Sequence, residues 1–271
     1  METSSRSKNI LDRIVAARRE SIAHRKRVLP EVALKIAVEK KVPPPRDFPA
    51  ALSRPGINII AELKKASPSR GVLREDFAPA PLALSFEQGG AAALSILTEE
   101  EFFLGSLENL KEASRVTKIP ILRKDFIVDP WQVWETRAAG ADTFLLIAAI
   151  LSDAAMRDLL ELGRSLKMEP LVEVHTREEL DRTLAAGARI IGVNNRDLRD
   201  FQAHLETSFS LIEAIPEECL AVSESGLRSQ DDLARLRAAG FDAFLIGEHL
   251  MSGPDPGAAL SALLRPSQKA A

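Results

Sequence analysis

The chain has 271 residues, 45% of them hydrophobic and 28% charged, with a formal net charge of -3. A chain of this length can bury roughly three quarters of its unfolded surface, and its near-neutral balance gives no electrostatic reason to expect nucleic acid or an anionic membrane as a partner. A single cysteine, Cys219, excludes an internal disulfide and any multi-cysteine metal centre. The N-terminus is polar and no apolar run is long enough to span a bilayer, so neither export nor insertion is expected and a cytoplasmic location follows by default. A monomer or weak homodimer is expected.

The chain starts with a helical extension. Ile10, Leu11, Ile14 and Val15 recur at helical spacing among charged residues, and the basic run His24-Arg25-Lys26-Arg27 reads as the solvated end of that helix, where cations suit its dipole. Pro30 opens a second helical pattern through Val32, Leu34, Ile36 and Val38, which Pro43-Pro44-Pro45 ends as a stiff linker. A short helix from Asp47 to Leu52 leads into the first strand. Residues 1–48 are therefore read as an extension packed on residues 49–271, the two forming one structural domain.

From Ile57 onward apolar runs alternate with helical patterns rich in Ala, Leu, Arg and Glu. The strand candidates are residues 57–63, 91–97, 120–126, 143–150, 170–174, 190–194, 220–223 and 243–246. Strand then helix, eight times over, means parallel pairing with right-handed crossovers, and eight units are the number that closes a (β/α)8 barrel. The segments around Gly89-Gly90, Gly140, Gly187 and Gly240 each end a helix and lead into an even-numbered strand, roughly fifty residues apart, as an internal repeat of two units would. No G-x-G-x-x-G opens a helix, which disfavours a doubly wound open sheet.

Polar residues gather where the apolar runs stop. Glu62 and Lys64, two residues apart, leave the first strand on one face, and the turn Ala66-Ser67-Pro68-Ser69-Arg70-Gly71 offers hydroxyls and N–H groups to an anion. Arg123-Lys124-Asp125-Phe126, Glu173-Val174-His175, Asn194-Asn195-Arg196-Asp197, Ser223-Glu224-Ser225-Gly226 and Gly247-Glu248 end later strands. In such a barrel strand C-termini converge on one mouth, and buried charges there are costly unless paired or used. His24, His175, His204 and His249 lack metal-ligand spacing, and no metal is expected, although His175 lies near enough to Glu173 to touch the mouth.

The runs Ile60-Ala61-Glu62-Leu63-Lys64-Lys65-Ala66-Ser67-Pro68-Ser69, Leu122-Arg123-Lys124-Asp125-Phe126, Leu171-Val172-Glu173-Val174, Gly192-Val193-Asn194-Asn195-Arg196-Asp197-Leu198 and Ser223-Glu224-Ser225-Gly226 strongly resemble the indole-3-glycerol phosphate synthase family. The resemblance covers nearly the whole chain. It implies a (β/α)8 barrel with an extra N-terminal helix, a small phosphorylated substrate, and no cofactor. The implied reaction turns 1-(2-carboxyphenylamino)-1-deoxyribulose 5-phosphate into indole-3-glycerol phosphate, carbon dioxide and water, in tryptophan biosynthesis.

By the same resemblance Lys124 is the acid for ring closure, Glu173 the catalytic carboxylate, and Lys64 a phosphate-binding or proton-transferring partner of Glu62. Asn194, Arg196, Glu224 and Ser225 match positions that bind the anthranilate carboxylate and sugar hydroxyls, and Phe103, Phe126 and Leu198 match the apolar pocket for the aromatic ring. Phosphate is expected at Ser67 with N–H groups around Gly226 and Gly247, the loops where such barrels hold it. Glu248 is expected to turn its carboxylate away and contribute only its N–H. For Lys124 to act as an acid near neutral pH its pKa should fall by roughly 2 to 3, a shift that a nearby Lys64 and a dry mouth would favour. Another phosphosugar barrel, either a sugar isomerase or a Schiff-base aldolase with Lys124 as nucleophile, is the competing enzyme reading, and an inactive barrel kept as an assembly partner is the non-enzymatic one.

Overall fold

The computed structural model describes residues 10–197 and 202–265. Eight parallel strands close into a barrel: β1 (Asn58–Leu63), β2 (Ala93–Leu97), β3 (Ile121–Lys124), β4 (Thr143–Ile147), β5 (Leu171–Val174), β6 (Ile190–Asn194), β7 (Leu220–Glu224) and β8 (Ala243–Ile246). Each strand pairs with its neighbours in sequence, and β8 returns to β1. The fourth strand is shorter than the apolar run that marks it, because Ala148–Ile150 turns into one 3-10 turn once the ladder ends. The turn after β1 also contains a two-rung hairpin, Ala66–Ser67 against Gly71–Val72, which the turn chemistry did not foretell.

Alternation along the strands separates two apolar layers. Ile60, Ala93, Leu122, Leu145, Leu171, Ile190, Val222 and Ala243 point inward and pack together, whereas Ile59, Ala61, Leu63, Leu94 and Ile121 face the surrounding helices. Side-chain hydroxyls and carboxylates of Ser106, Asp129, Ser152, Thr176, Ser229 and Asp255 cap the helices that follow the strands. Gly90, Gly140, Gly187 and Gly240 take positive φ between 84° and 120°, as helix-ending glycines should.

Three helices precede the barrel: α1 (Ile10–Val28), α2 (Glu31–Lys41) and α3 (Phe48–Leu52). They close both ends. Phe48 and Leu52 of α3 are fully buried in the inner layer, and Asn58 at the start of β1 donates to the Leu52 carbonyl at 2.8 Å, so α3 plugs the N-terminal end. Ile10, Leu11 and Ile14 of α1 line the cavity at the opposite mouth.

An ionic network anchors α1, and here two expectations change. Arg123 does not reach the mouth with Lys124; parity sends it outward, as alternation implies for Asp125 too, and there Arg123 Nη2 meets Asp125 at 2.9 Å and Glu135 at 3.0 Å. Arg18, only 3% exposed, reaches the same Asp125 oxygen at 2.5 Å, as does the Thr98 hydroxyl. The basic run closing α1 is not simply solvated either. Arg25 meets buried Glu135 at 2.5 Å and stacks over Trp131, and Lys26 pairs with Asp129, because the helix between β3 and β4 (Pro130–Ala138) presents acidic partners.

Candidate active site at the C-terminal mouth

Strand parity that buries Ile60, Leu122, Leu171, Ile190 and Val222 also turns Glu62, Lys124, Glu173, Asn194 and Glu224 inward at the strand ends, with Lys64 beyond Glu62. All six line one cavity. Lys64 Nζ lies 2.8 Å from Glu62 Oε2. Lys124 Nζ donates to Glu173 Oε2 at 2.8 Å and lies 3.5 Å from Glu224 Oε2. The mouth thus holds two ammonium groups among three buried carboxyl groups.

That imbalance sets the titration of the cluster and overturns one expectation. Burial, the largest influence, works to lower the Lys124 pKa, but Glu173, Glu224 and Glu62 together outweigh it, and the ammonium is held above its ordinary value. Lys64 does not discharge Lys124, because Glu62 already neutralises it. Burial alone would lift Glu173; Lys124, His175 and a hydrogen bond from Asn194 bring it down instead, to about 2. Glu224 goes the other way: burial first, then the charges of Glu173 and Glu62, lift it to about 8 against the pull of Lys124. Two carboxyl groups on one lysine are therefore pushed in opposite directions, Glu173 toward the ionised form and Glu224 toward the neutral one, the arrangement expected of an acid and a base sharing a pocket.

Two inward glycines make the room. A Cβ on Gly192 would lie 2.2 Å from Glu224 Oε1, and one on Gly247 would lie 2.3 Å from Glu62 Oε2. The β5–β6 register sets Gly192 beside Glu173, and the β6–β7 register sets Asn194 beside Glu224. Gly192 was readable by parity, two residues from Ile190 and from Asn194, and was missed.

Ser225 and Gly226 both adopt left-handed backbone after β7, at φ 67° and 79°. For a serine this is uncommon and costs of order 1 kcal/mol or more, which fits a turn held for function. Both border a second, polar cavity that adjoins the first, with Lys64, Arg70, Arg196 and Gly247 around it. Glu248 corrects a further expectation. Its carboxylate does not turn away but stands between two guanidinium groups that draw it in, 3.0 Å from Arg70 Nε and 2.9 Å from Arg196 Nη2. Ser67 is buried at the edge of the first cavity, its hydroxyl 3.3 Å from that of Ser69. Phe103 and Phe126 form an apolar wall with ring centroids 6.2 Å apart. Leu198 lies outside the described residues. Asn195 is turned outward, its amide bonded to the Ser223 hydroxyl and to the carbonyls of Glu224 and Ser225, so it supports the turn rather than the cavity.

Buried carboxyl groups pushed apart in pKa around one lysine, beside a polar cavity with Lys64, Arg70 and Arg196 on its walls, at the C-terminal mouth of a closed (β/α)8 barrel, are the features of an enzyme site for an anionic substrate. Residues 11–263 match the family model for indole-3-glycerol phosphate synthase. The indole-3-glycerol phosphate synthase of Albidiferax ferrireducens is 48% identical over 94% of this chain and 98% of its own length. That of Dehalococcoides mccartyi is 46% identical over 94% of this chain and all of its own. Among solved structures, 3-hexulose-6-phosphate synthase from Salmonella typhimurium shares the fold at a TM-score of 0.61 and 11% identity, over 76% of this chain and 98% of that one. The chain belongs to the indole-3-glycerol phosphate synthase family.

Proposed function

We propose that the Lys124–Glu173–Glu224 cluster carries out the acid–base steps of this family's reaction. The enzyme is a carboxy-lyase that converts 1-(2-carboxyphenylamino)-1-deoxyribulose 5-phosphate into indole-3-glycerol phosphate, carbon dioxide and water, in tryptophan biosynthesis. The observation that carries the residue assignment is the 2.8 Å contact between Lys124 and Glu173 inside the mouth.

The aromatic ring lies against Phe103 and Phe126, and the phosphate enters the polar cavity toward Ser67, Lys64 and the N–H groups of Gly226, Gly247 and Glu248. Leu198 is kept as a further member of the apolar wall by resemblance alone. Arg196, with Asn194 and Ser225 beside it, holds the substrate carboxylate or sugar hydroxyls, which requires it to exchange Glu248 for the substrate. As the ring carbon attacks the ketone, the oxygen gathers charge and becomes a base strong enough to take a proton from the Lys124 ammonium despite its raised pKa. Loss of carbon dioxide returns an electron pair to the ring. The hydroxyl then leaves as water with a proton from Glu224 or Lys64, and Glu173 accepts the proton lost as the indole forms. The raised ammonium disfavours the aldolase reading, since a Schiff-base nucleophile must be uncharged.

The extension reads as one structural unit with the barrel, because Arg18 and α3 are buried in it. The chain is read as a cytoplasmic monomer or weak homodimer, and its near-neutral charge supports a reading without nucleic-acid or anionic-membrane partners. Among the described residues no helix is long and apolar enough to cross a membrane. The test mixes purified chain with the substrate and follows indole formation by fluorescence beside Lys124→Ala. Product from the native chain and almost none from the variant is expected; equal product from both removes Lys124 from its role.

A further inference from the structure

The family reaction has a proton balance that the mouth must satisfy. Its substrate carries an ionised carboxylate, and that group departs as neutral carbon dioxide, so each turnover takes up one proton from solvent beyond those moved between atoms of the substrate. Ile10, Leu11 and Ile14 of α1 and the two phenylalanines give one side of the cavity an apolar border that supplies no proton, so the proton must arrive through polar groups.

His175 stands just beyond the end of β5, on the same C-terminal side of the barrel as that cavity. It borders a neighbouring opening at the ends of β5 and β6, together with Thr176, Glu179, Asp197 and His204, and this opening shares Asn194 and Arg196 with the first cavity. Its Nε2 is buried, has no hydrogen-bond partner and lies 3.6 Å from Glu173 Oε1. Its Nδ1 lies 3.4 Å from Glu179 Oε2, and that same carboxylate oxygen accepts the His175 backbone N–H at 2.6 Å, which fixes the ring between the two acids. Glu173 divides its oxygens accordingly: Oε2 faces Lys124, and Oε1 faces the imidazole. An orphaned ring nitrogen aimed at the carboxylate of a proton-transfer site is costly to bury unless it is used.

We propose that His175 is a positioning residue that passes protons from the neighbouring opening to Glu173, giving the mouth a proton inlet that a seated substrate does not occupy. Water in the neighbouring opening gives a proton to Nδ1 beside the Glu179 carboxylate as Nε2 hands one to Glu173 Oε1, and Glu173 passes a proton from Oε2 to the Lys124 amine that has just protonated the substrate. The imidazole ends neutral in its other tautomer, and rotation or exchange with solvent resets it. One proton enters and one leaves the ring, and the proton delivered restores the one that the site gives up in each turnover. The groups facing His175 are Glu173 from β5, Glu179 from the following helix, Glu224 from β7, and Asp197 and His204 across the opening. Burial disfavours the imidazolium, but Glu179, Glu173 and Glu224 override it and raise the pKa, so the ring is readily charged from outside.

This inference rests on Glu173 as the proton-transfer carboxylate. The test uses the full chain with His175→Ala and Glu179→Gln, the latter keeping an oxygen for the His175 N–H. Steady-state kinetics are measured from pH 6 to 9, in light and heavy water, with and without added imidazole. In both variants kcat should fall about tenfold with KM unchanged, the solvent isotope effect should rise, and imidazole should restore His175→Ala. Unchanged kcat in both variants overturns the relay. So does a loss that imidazole does not restore and that leaves the isotope effect at its native value, since that is the signature of a structural role. Should His175→Ala fail to fold, the isotope effect of Glu179→Gln decides alone. Glu173→Gln is measured alongside: full activity there refutes the assignment of Glu173, whereas an inactive Glu173→Gln beside a native-like His175→Ala refutes only the inlet.

Discussion

Replacing Glu224 with Gln should stabilise the fold as pH rises while it removes activity. Glu224 is 1% exposed, lies 3.5 Å from Lys124, and has a buried Oε1 with no hydrogen-bond partner. Its pKa is lifted from 4.5 to about 8 by burial and by Glu173 and Glu62. A group whose folded pKa exceeds its unfolded one stabilises the native state fully below the unfolded value and loses that contribution as pH climbs to the folded value. At about 1.4 kcal/mol per pH unit, the native chain should lose about 3 kcal/mol by pH 7 and about 5 kcal/mol above pH 8, relative to pH 4.5. Gln cannot ionise and should escape that loss. Urea unfolding of both proteins at pH 5, 7 and 9 measures the gap, which should be small at pH 5 and widen to several kcal/mol at pH 9, or on the order of 10 °C in Tm. A gap that stays constant across this range would show that Glu224 is ionised in the native protein and would remove it as the neutral acid.

Two further outcomes follow from the packing around the site. Gly192→Ala places a methyl group 2.2 Å from Glu224 Oε1 and 3.2 Å from the Leu171 side chain, so the carboxylate must swing off Lys124; kcat should fall at least about tenfold, with a stability cost of about 1–3 kcal/mol measured by thermal melting. Arg18→Met keeps the apolar stem but leaves Asp125 with Arg123, Thr98 and its own backbone contact, so the cost should be about 2 kcal/mol, below that of stripping a buried charge of every partner. Hydrogen exchange should show α1 losing protection while the strands keep theirs; unchanged protection of α1 would mean that Arg18 does not anchor it.

The strands, their parallel order and their closure were legible because inward and outward residues are both apolar and each run is punctuated by turn residues or a helix-ending glycine. Glu62, Lys64, Lys124, Glu173, Asn194 and Glu224 were legible for a related reason: period-two alternation carries from the buried part of each strand into its polar end. The same alternation sends Asp125 outward, as its place next to Lys124 implies, and it sends Arg123 outward as well, away from the mouth where its strand-end position had grouped it. Tertiary structure alone decided the rest. Whether α1 covers a mouth or α3 plugs the other end depends on where a short proline linker delivers each helix, and local sequence carries no record of that. The charge state of Lys124 was misjudged because a pKa is set by every charge within several ångströms. Glu173 and Glu224 lie 49 and 100 positions further along the chain from Lys124, and only the closed barrel makes them its neighbours. Sequence by itself determined which residues would face inward; closure of the sheet decided which of them meet, and hence which way the pKa of each is pushed.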